Sequence, residues 1–249
     1  MRLLLASLLS ALFAAPLLAQ AQAASAPAAA SSASAPVAKR VYQLSVDLRP
    51  YYLGGLGIGL PAQVAVDPDY DALLSSGRSS DIRRAAAGIE AKPELVKPQT
   101  MIALALRLYD VGLRDDAVFW YYAARDRFLT MEAVLDMRSL RLTRVAEAVD
   151  SFIEALGAPM DGYAMCDVAR HQEREDRAIA WVAAHPYKVL GYGDLPAQSE
   201  DRNAALANAV GKLREMSAHN QALLAKPEVQ AQLADARRKM QADTRFCWK

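Results

Sequence analysis

The chain has 249 residues, of which 53% are hydrophobic, and its 29 lysine and arginine residues nearly balance 28 aspartate and glutamate residues. This hydrophobic content and the small net charge exclude an intrinsically disordered protein, and two cysteines are too few for a disulfide-dense mini-protein. The balanced charge leaves no global basic footprint for nucleic acid or an anionic membrane. The length accommodates one domain of about 200 residues or two small ones.

The first 23 residues have the features of a secretory signal peptide. Arg2 precedes an apolar run from Leu3 to Ala19, and small residues then repeat at cleavage-site spacing over residues 19–23. Pro16 and the following glutamines interrupt the run, which argues against a retained membrane helix. No cysteine lies in this region, so it does not predict a lipid anchor. We therefore expect export to the bacterial periplasm, with no integral membrane segment after cleavage.

Two segments separate the signal peptide from the predicted helices. Residues 24–38 contain only alanine, serine, proline and valine, which is typical of a flexible tether. Residues 39–79 are expected to form an extended arm, because apolar and polar residues alternate from Val41 to Arg49. A glycine-rich loop follows at residues 53–61, but its glycine spacing does not match a phosphate-binding motif. A lone strand is unstable, so we expect the arm to pack onto the main body.

From residue 80 onward, apolar residues recur at helical spacing. The pattern predicts that residues 39–249 form a single, mainly α domain of antiparallel helical hairpins, either tetratricopeptide-like or an irregular bundle. The predicted helices cover residues 81–92, 99–110, 115–137, 142–156, 163–184, 199–225 and 227–242. In the last helix, a stripe of four residues is expected to be buried. These residues are Val229, Leu233, Ala236 and Met240.

A run of regularly spaced residues lies within the segment 101–125. It consists of Leu108-Tyr109-x-x-Gly112-x-x-x-Asp116-Ala117-x-x-Trp120-Tyr121-x-Ala123-Ala124. This pattern resembles the Sel-like repeat, a helical hairpin related to the tetratricopeptide repeat. The resemblance implies that Tyr109 and Gly112 end the first helix, while the alanines, Trp120 and Tyr121 pack the second helix against it. We find no second copy about 35 residues away, so a single hairpin is implied and not a repeat array.

Four consecutive aromatic residues, from Phe119 to Tyr122, point in every direction around their predicted helix. Trp120 and Tyr121 are expected to lie in the core. Phe119 or Tyr122 is then expected on the surface, where an exposed ring can anchor a partner protein. Phe119 and Tyr122 are therefore the candidate partner-binding residues. The alternative is that the whole aromatic cluster is structural.

Asp167, His171 and Glu175 are spaced so that one helix face carries two carboxylates and an imidazole. Such a face can bind a divalent metal or position a general base. The residues between them are densely charged, and no His-Glu-x-x-His motif is present, so a solvated face with salt bridges is the favoured interpretation. Replacing His171 is accordingly expected to change stability little. The sequence thus predicts no catalytic residue, cofactor or metal ligand.

Cys166 and Cys247 are the only cysteines in the chain. A catalytic thiol is one interpretation, but an even pair in an oxidising compartment is usually a disulfide. We therefore expect a structural bridge between Cys166 and Cys247.

These observations favour an exported periplasmic protein that binds another protein and does not catalyse a reaction. An immunity protein, which neutralises a toxin, is one specific form of this class. Two alternatives stay open. The first is an enzyme with an unfamiliar site around Asp167, His171 and Glu175, and the second is a cell-envelope assembly factor.

Overall fold

The computed structural model describes residues 66–247. The predicted signal peptide, the tether, the glycine-rich loop and most of the predicted arm lie outside the described residues. Within residues 66–247 the chain forms nine α-helices and two 3₁₀ turns without a β-strand, which confirms the mainly α fold class for this part. None of these helices is both long enough and apolar enough to cross a membrane.

The helices, in chain order, follow the predicted succession with shifted ends. They are α1 Pro68–Leu74, α2 Ser79–Ala91, α3 Pro98–Asp110, α4 Arg114–Val134, α5 Thr143–Ala164, α6 Val168–Ala184, α7 Arg202–Leu224, α8 Pro227–Lys239 and α9 Ala242–Phe246. The two 3₁₀ turns are Pro93–Leu95, before α3, and Lys188–Gly191, after α6. The largest difference is in α5, which continues through Pro159 for two turns beyond its predicted end.

Helix α1 lies in the range that the sequence assigned to the extended arm, so that assignment is wrong for Pro68–Leu74. Pro68 suits a first helical turn, where its missing N–H is not needed. The preceding Asp67 fixes the helix to the start of α3. Its backbone N–H donates to Thr100 Oγ1 (2.9 Å), and its Oδ2 accepts from the Lys97 N–H (3.1 Å). These bonds join residues about 30 positions apart, so the sequence of this short helix does not itself indicate them.

Helices α3 and α4 form the predicted hairpin, and a glycine makes their turn possible. Gly112 has a φ of +82°, a conformation that residues with a Cβ rarely adopt. The Gly112 N–H donates to the Tyr109 carbonyl (3.0 Å), and the Leu113 N–H donates to the Leu108 carbonyl (2.8 Å). These two bonds form a Schellman motif that satisfies the last carbonyls of α3.

Helix α4 is the centre of the fold, because α3, α5, α6 and α7 all pack against it. Its small residues Ala117, Ala123 and Ala124 are 0% exposed. The Trp120 ring meets the Trp181 ring of α6 edge to face, with 5.3 Å between the ring centroids. Neighbours on all sides explain why α4 has almost no polar face.

Arg127 of α4 is fully buried and ties the first 3₁₀ turn and the end of α6 to the central helix. Its Nη1 donates to the carbonyls of Pro93 (2.7 Å) and Val96 (2.9 Å), and its Nη2 donates to the His185 carbonyl (2.8 Å). The guanidinium also lies 4.7 Å from the centroid of the Trp181 ring. Burial lowers the pKa of Arg127 to about 10, so the side chain is still charged at neutral pH.

The predicted disulfide between Cys166 and Cys247 is confirmed, with a Cα–Cα distance of 5.5 Å. It joins the α5–α6 connection to the end of α9. Beside it, Phe246 is buried against Gly162, where a Cβ atom would lie only 2.6 Å from the Phe246 ring. Arg237 of α8 donates to the Met165 carbonyl and to Cys247 Sγ. The bridge and these contacts together fix the C-terminal segment to α5.

The prediction of a buried stripe on α8 is wrong. No residue of α8 is buried, and Met240, just beyond it, is 45% exposed. Val229, Leu233 and Ala236 are half-buried. The spacing is helical and amphipathic as predicted, but α8 packs mainly against α7 and α9.

Candidate functional site

Six ionisable side chains meet in the interior between α4, α5 and α6, and we call this group the polar cluster. Its members are Tyr122, Arg125 and Asp126 of α4, Asp161 of α5, and His171 and Glu175 of α6. Residues one helical turn apart share a face, so Tyr122 and Asp126 on α4 oppose His171 and Glu175 on α6. Tyr122 and Asp126 are 0% exposed, and His171 is 3% exposed. Four of the six members, namely Tyr122, Asp126, His171 and Glu175, are therefore part of the core, and Arg125 and Asp161 are half-buried beside them.

Tyr122 connects α5 to α6 through its hydroxyl group. The hydroxyl oxygen lies 3.1 Å from Asp161 Oδ1 and 3.0 Å from His171 Nδ1. An ionised carboxylate only accepts hydrogen bonds. We therefore assign the Tyr122 O–H as the donor to Asp161, and the His171 Nδ1–H as the donor to the Tyr122 oxygen. Two successive hydrogen bonds thus run from the imidazole through the phenol to the carboxylate.

Arg125 supplies the positive charge of the polar cluster. Its Nε lies 3.1 Å from Asp126 Oδ1, and its Nη2 lies 3.4 Å from Glu175 Oε1. Burial raises the pKa of Asp126 to about 6, although Arg125 opposes this increase. Burial also raises the pKa of Asp161. In addition, Asp126 Oδ2 is buried and accepts no hydrogen bond. Arg125 thus offsets only part of the cost of burying the Asp126 and Asp161 carboxylates. Their burial favours the protonated form of both groups.

His171 is held neutral at physiological pH. Burial lowers its pKa to about 4, and the nearby Arg125 and Arg174 contribute to the decrease. Burial also raises the pKa of the Tyr122 hydroxyl well above its ordinary value. The imidazole and the phenol are both buried, and both form hydrogen bonds. The arrangement is suited to holding three helices together and gives a substrate no direct access to these groups.

The predicted solvated face is wrong for two of its three residues. His171 and Glu175 are buried, because α4 presents Tyr122 and Arg125 to them. Asp167 alone is exposed, and it caps the N-terminus of α6 by accepting the Arg170 N–H (3.1 Å). The structure therefore does not bring the three residues together on an accessible surface. Within residues 66–247, no group of three or more His, Cys, Asp or Glu side chains is arranged to hold a metal ion.

The prediction that Phe119 or Tyr122 faces solvent is also wrong. Phe119 is 2% exposed, since it contacts the rings of Trp120 and Trp181 and lies under the Arg177 guanidinium (4.0 Å). Tyr122 is 0% exposed and belongs to the polar cluster. Because α4 is covered on every side, neither ring is available to a partner in this structure.

Sequence reasoning missed Arg125, Asp126 and Asp161. A signal for the first two was present in the aromatic run, which points in every direction around its helix. A helix that is apolar all round is a buried helix. Charged residues on such a helix rarely lie in the core unless they are paired. The partners on α5 and α6 could not be identified in the same way, because they are far away in the sequence.

Fold and site together define this chain as a mainly α protein with a charged, hydrogen-bonded cluster in its core. The chain is 30% identical to a protein of Haemophilus influenzae over 208 residues, which is 84% of this chain and 80% of that protein. The chain therefore belongs to the same family as this uncharacterised protein. No protein-family model and no solved structure matches the chain.

We expect the burial of His171 to appear as a pH dependence of stability. Its pKa falls from about 6.5 in an unfolded chain to about 4 in the fold, so between these values the unfolded chain binds more protons. The contribution of His171 to the free energy of unfolding is then lost as the pH falls, by about 3 kcal/mol from pH 7 to pH 4. Urea unfolding of the wild type and of His171→Gln at both pH values measures this effect. Between pH 7 and pH 4, the free energy of unfolding of the wild type should fall by this amount more than that of the variant.

Two comparisons separate the effect of His171 on the pH dependence of stability from that of other groups. Asp126 acts in the opposite sense, because its raised pKa removes stability as the pH rises from about 4 to about 6. Only the difference between wild type and His171→Gln isolates the imidazole. His219→Gln changes an exposed histidine of α7 and should leave the pH profile unaltered. Identical pH profiles for wild type and His171→Gln would contradict the prediction.

Proposed function

We propose that this chain is an exported protein of the periplasm that binds another protein and does not act as a catalyst. The observation that carries the proposal is the enclosure of the acid–base side chains. The His171 imidazole and the Glu175 carboxylate are occupied by Tyr122 and Arg125 inside the core. The signal-peptide features of residues 1–23 support export. The Cys166–Cys247 bridge agrees with an oxidising compartment.

The loop between α4 and α5 supplies the contact element in this proposal, in place of Phe119 and Tyr122. Leu140 is 100% exposed, and the neighbouring Arg138 and Arg141 side chains are 95% and 61% exposed. A leucine between two arginines suits a partner with an apolar pocket and an acidic rim.

The loop is also held in a fixed shape before binding. The Leu142 N–H and Thr143 Oγ1 both donate to the Ser139 carbonyl, at 3.0 and 2.8 Å. Arg141 Nη1 donates to the Asp194 carbonyl (2.7 Å), so the loop is also tied to the segment after α6. A loop that is already ordered loses less conformational entropy when a partner binds.

Site-specific photo-crosslinking in the producing cells tests this proposal. A photoreactive residue at position 140 should give one discrete protein adduct in the periplasmic fraction. The same residue at position 212, an exposed site on α7, should not give that adduct. Leu140→Asp should abolish co-purification of the partner without changing the helix content. Recovery of the protein in the cytoplasm, or equal crosslinking at both positions, would contradict the proposal.

The identity of the adduct separates the functional classes. A secreted toxin would assign the immunity class, and a component of the envelope machinery would assign the assembly class. A purified protein that turns over a substrate, and loses this activity in His171→Gln, would favour the enzyme class instead.

A further inference from the structure

Two carboxylates of the polar cluster, Asp126 of α4 and Glu175 of α6, contact the same edge of one guanidinium, and we call them the carboxyl pair. Arg125 Nε lies 3.1 Å from Asp126 Oδ1, and Arg125 Nη2 lies 3.4 Å from Glu175 Oε1. Nε and Nη2 form one edge of the planar guanidinium, which a single carboxylate ordinarily occupies with both of its oxygens. Here two carboxylates divide this edge, so their charges lie close together.

The polar cluster contains one cation for three carboxylates. Arg125 is shared by Asp126 and Glu175, and the third carboxylate, Asp161 of α5, accepts from the Tyr122 hydroxyl. A buried carboxylate that lacks a counter-charge of its own is costly, and such a group tends to bind a proton. One added proton would bring the net charge of the polar cluster closer to zero.

The other groups around α4 do not supply this positive charge. On α6, His171 is neutral at physiological pH, and Arg174 forms its ion pair with a carboxylate of α4 outside the polar cluster. Helices α3 and α7 also pack against α4, but within residues 66–247 none of their side chains forms an ion pair with Asp126. A proton is therefore the positive charge that the carboxyl pair can still acquire.

Asp126 is the member of the carboxyl pair that is arranged to hold this proton. Its side chain is 0% exposed, and its Oδ2 atom accepts no hydrogen bond. Burial raises the pKa of Asp126 to about 6, and the like charge of Glu175 adds to the increase while Arg125 opposes it. Oδ2 can thus carry a proton while Oδ1 stays bonded to Arg125.

We propose that the carboxyl pair binds one exchangeable proton, carried by Asp126 Oδ2, and that this proton controls the contact between α4 and α6. With the proton in place, Arg125 and Glu175 form a simple ion pair between the two helices. When the proton leaves, two carboxylates compete for one edge of the guanidinium and repel each other. The contact between α4 and α6 is therefore a pH-sensitive element of the fold, tighter in mild acid than in mild alkali.

Carbon-13 NMR of the full mature chain, labelled at the aspartate carboxyl groups, tests the proton site. The Asp126 carboxyl resonance, assigned through its backbone resonances, should titrate with a midpoint of about 6. Glu175→Gln removes the neighbouring charge and should lower this midpoint by about one pH unit or more. Glu173→Gln changes an exposed glutamate of the same helix, so this matched control should leave the midpoint unaltered.

Thermal unfolding tests the effect of the proton on the fold. A raised pKa in the folded state gives stability that is lost as the pH rises through that pKa. From about pH 5 to about pH 8, the Tm of the wild type should therefore fall by about 3–6 °C more than that of Asp126→Asn, whose amide cannot lose a proton.

The wild-type titration decides without any variant, because a midpoint below about 5 overturns the proposal even if the substituted chains do not fold. A midpoint that is the same in Glu175→Gln and Glu173→Gln overturns the sharing of the proton site by the carboxyl pair. The same pH dependence of Tm in wild type and Asp126→Asn shows that the proton does not control the contact between α4 and α6, and this result overturns the proposal as well.

Discussion

Replacing Arg127 with methionine is expected to lower the free energy of unfolding by about 5 kcal/mol. The methionine side chain retains most of the apolar volume, but the Pro93, Val96 and His185 carbonyls lose their donor. A buried polar group without a partner costs roughly 1–3 kcal/mol. The favourable contact of the guanidinium with the Trp181 ring is lost as well. Urea unfolding of wild type and variant at pH 7 measures the difference.

The control for this prediction is the same substitution at an exposed arginine. Arg177 lies over the Phe119 ring but is exposed, so Arg177→Met should cost less than about 1 kcal/mol. Arg127→Lys should fall between the wild type and Arg127→Met, because one ammonium cannot replace a guanidinium that donates to three carbonyls. If Arg127→Met costs no more than Arg177→Met, Arg127 does not hold the first 3₁₀ turn and the end of α6 in place.

Removing the disulfide is the second change with a large expected effect. The bridge closes a loop between cysteines 81 residues apart, for which the chain-entropy model gives roughly 4–5 kcal/mol of stabilisation. The Cys166→Ser, Cys247→Ser double variant should lose this amount in urea unfolding, with nearly unchanged helix content. Hydrogen exchange should increase mainly in α8 and α9, because α8 has no buried residue of its own.

Chemical reduction of the wild type provides the control. The reduced wild type and the double serine variant should have the same stability, since both lack the crosslink. Equal stability of the oxidised and reduced wild type would show that the bridge does not stabilise the fold.

Helices with local signals could be predicted from the sequence. Pro98 marks the start of α3, Gly112 marks its end, and Pro227 marks the start of α8, in each case because the residue has a backbone preference of its own. The disulfide was predictable for a different reason, since two cysteines allow one pairing. Helix α1 was missed because its stability comes from the contacts of Asp67 with Lys97 and Thr100.

The polar cluster shows why a site is harder to predict than a helix. The pattern of Asp167, His171 and Glu175 is equally compatible with a solvated face and with a buried one. The outcome depends on Tyr122 and Arg125, which lie 49 and 50 residues away from His171 and Glu175 respectively. Local spacing places side chains on a face of a helix, but only the packing of other helices determines whether that face meets water.

The position of the disulfide also determines which fragments a protease can release. The loop that the bridge closes contains α6, α7, α8 and α9, whereas α1 to α5 precede Cys166. A single cut inside this loop therefore leaves the two fragments covalently joined until the bond is reduced. A cut in the loop between α4 and α5 lies outside the crosslinked part and leaves no covalent link between the fragments.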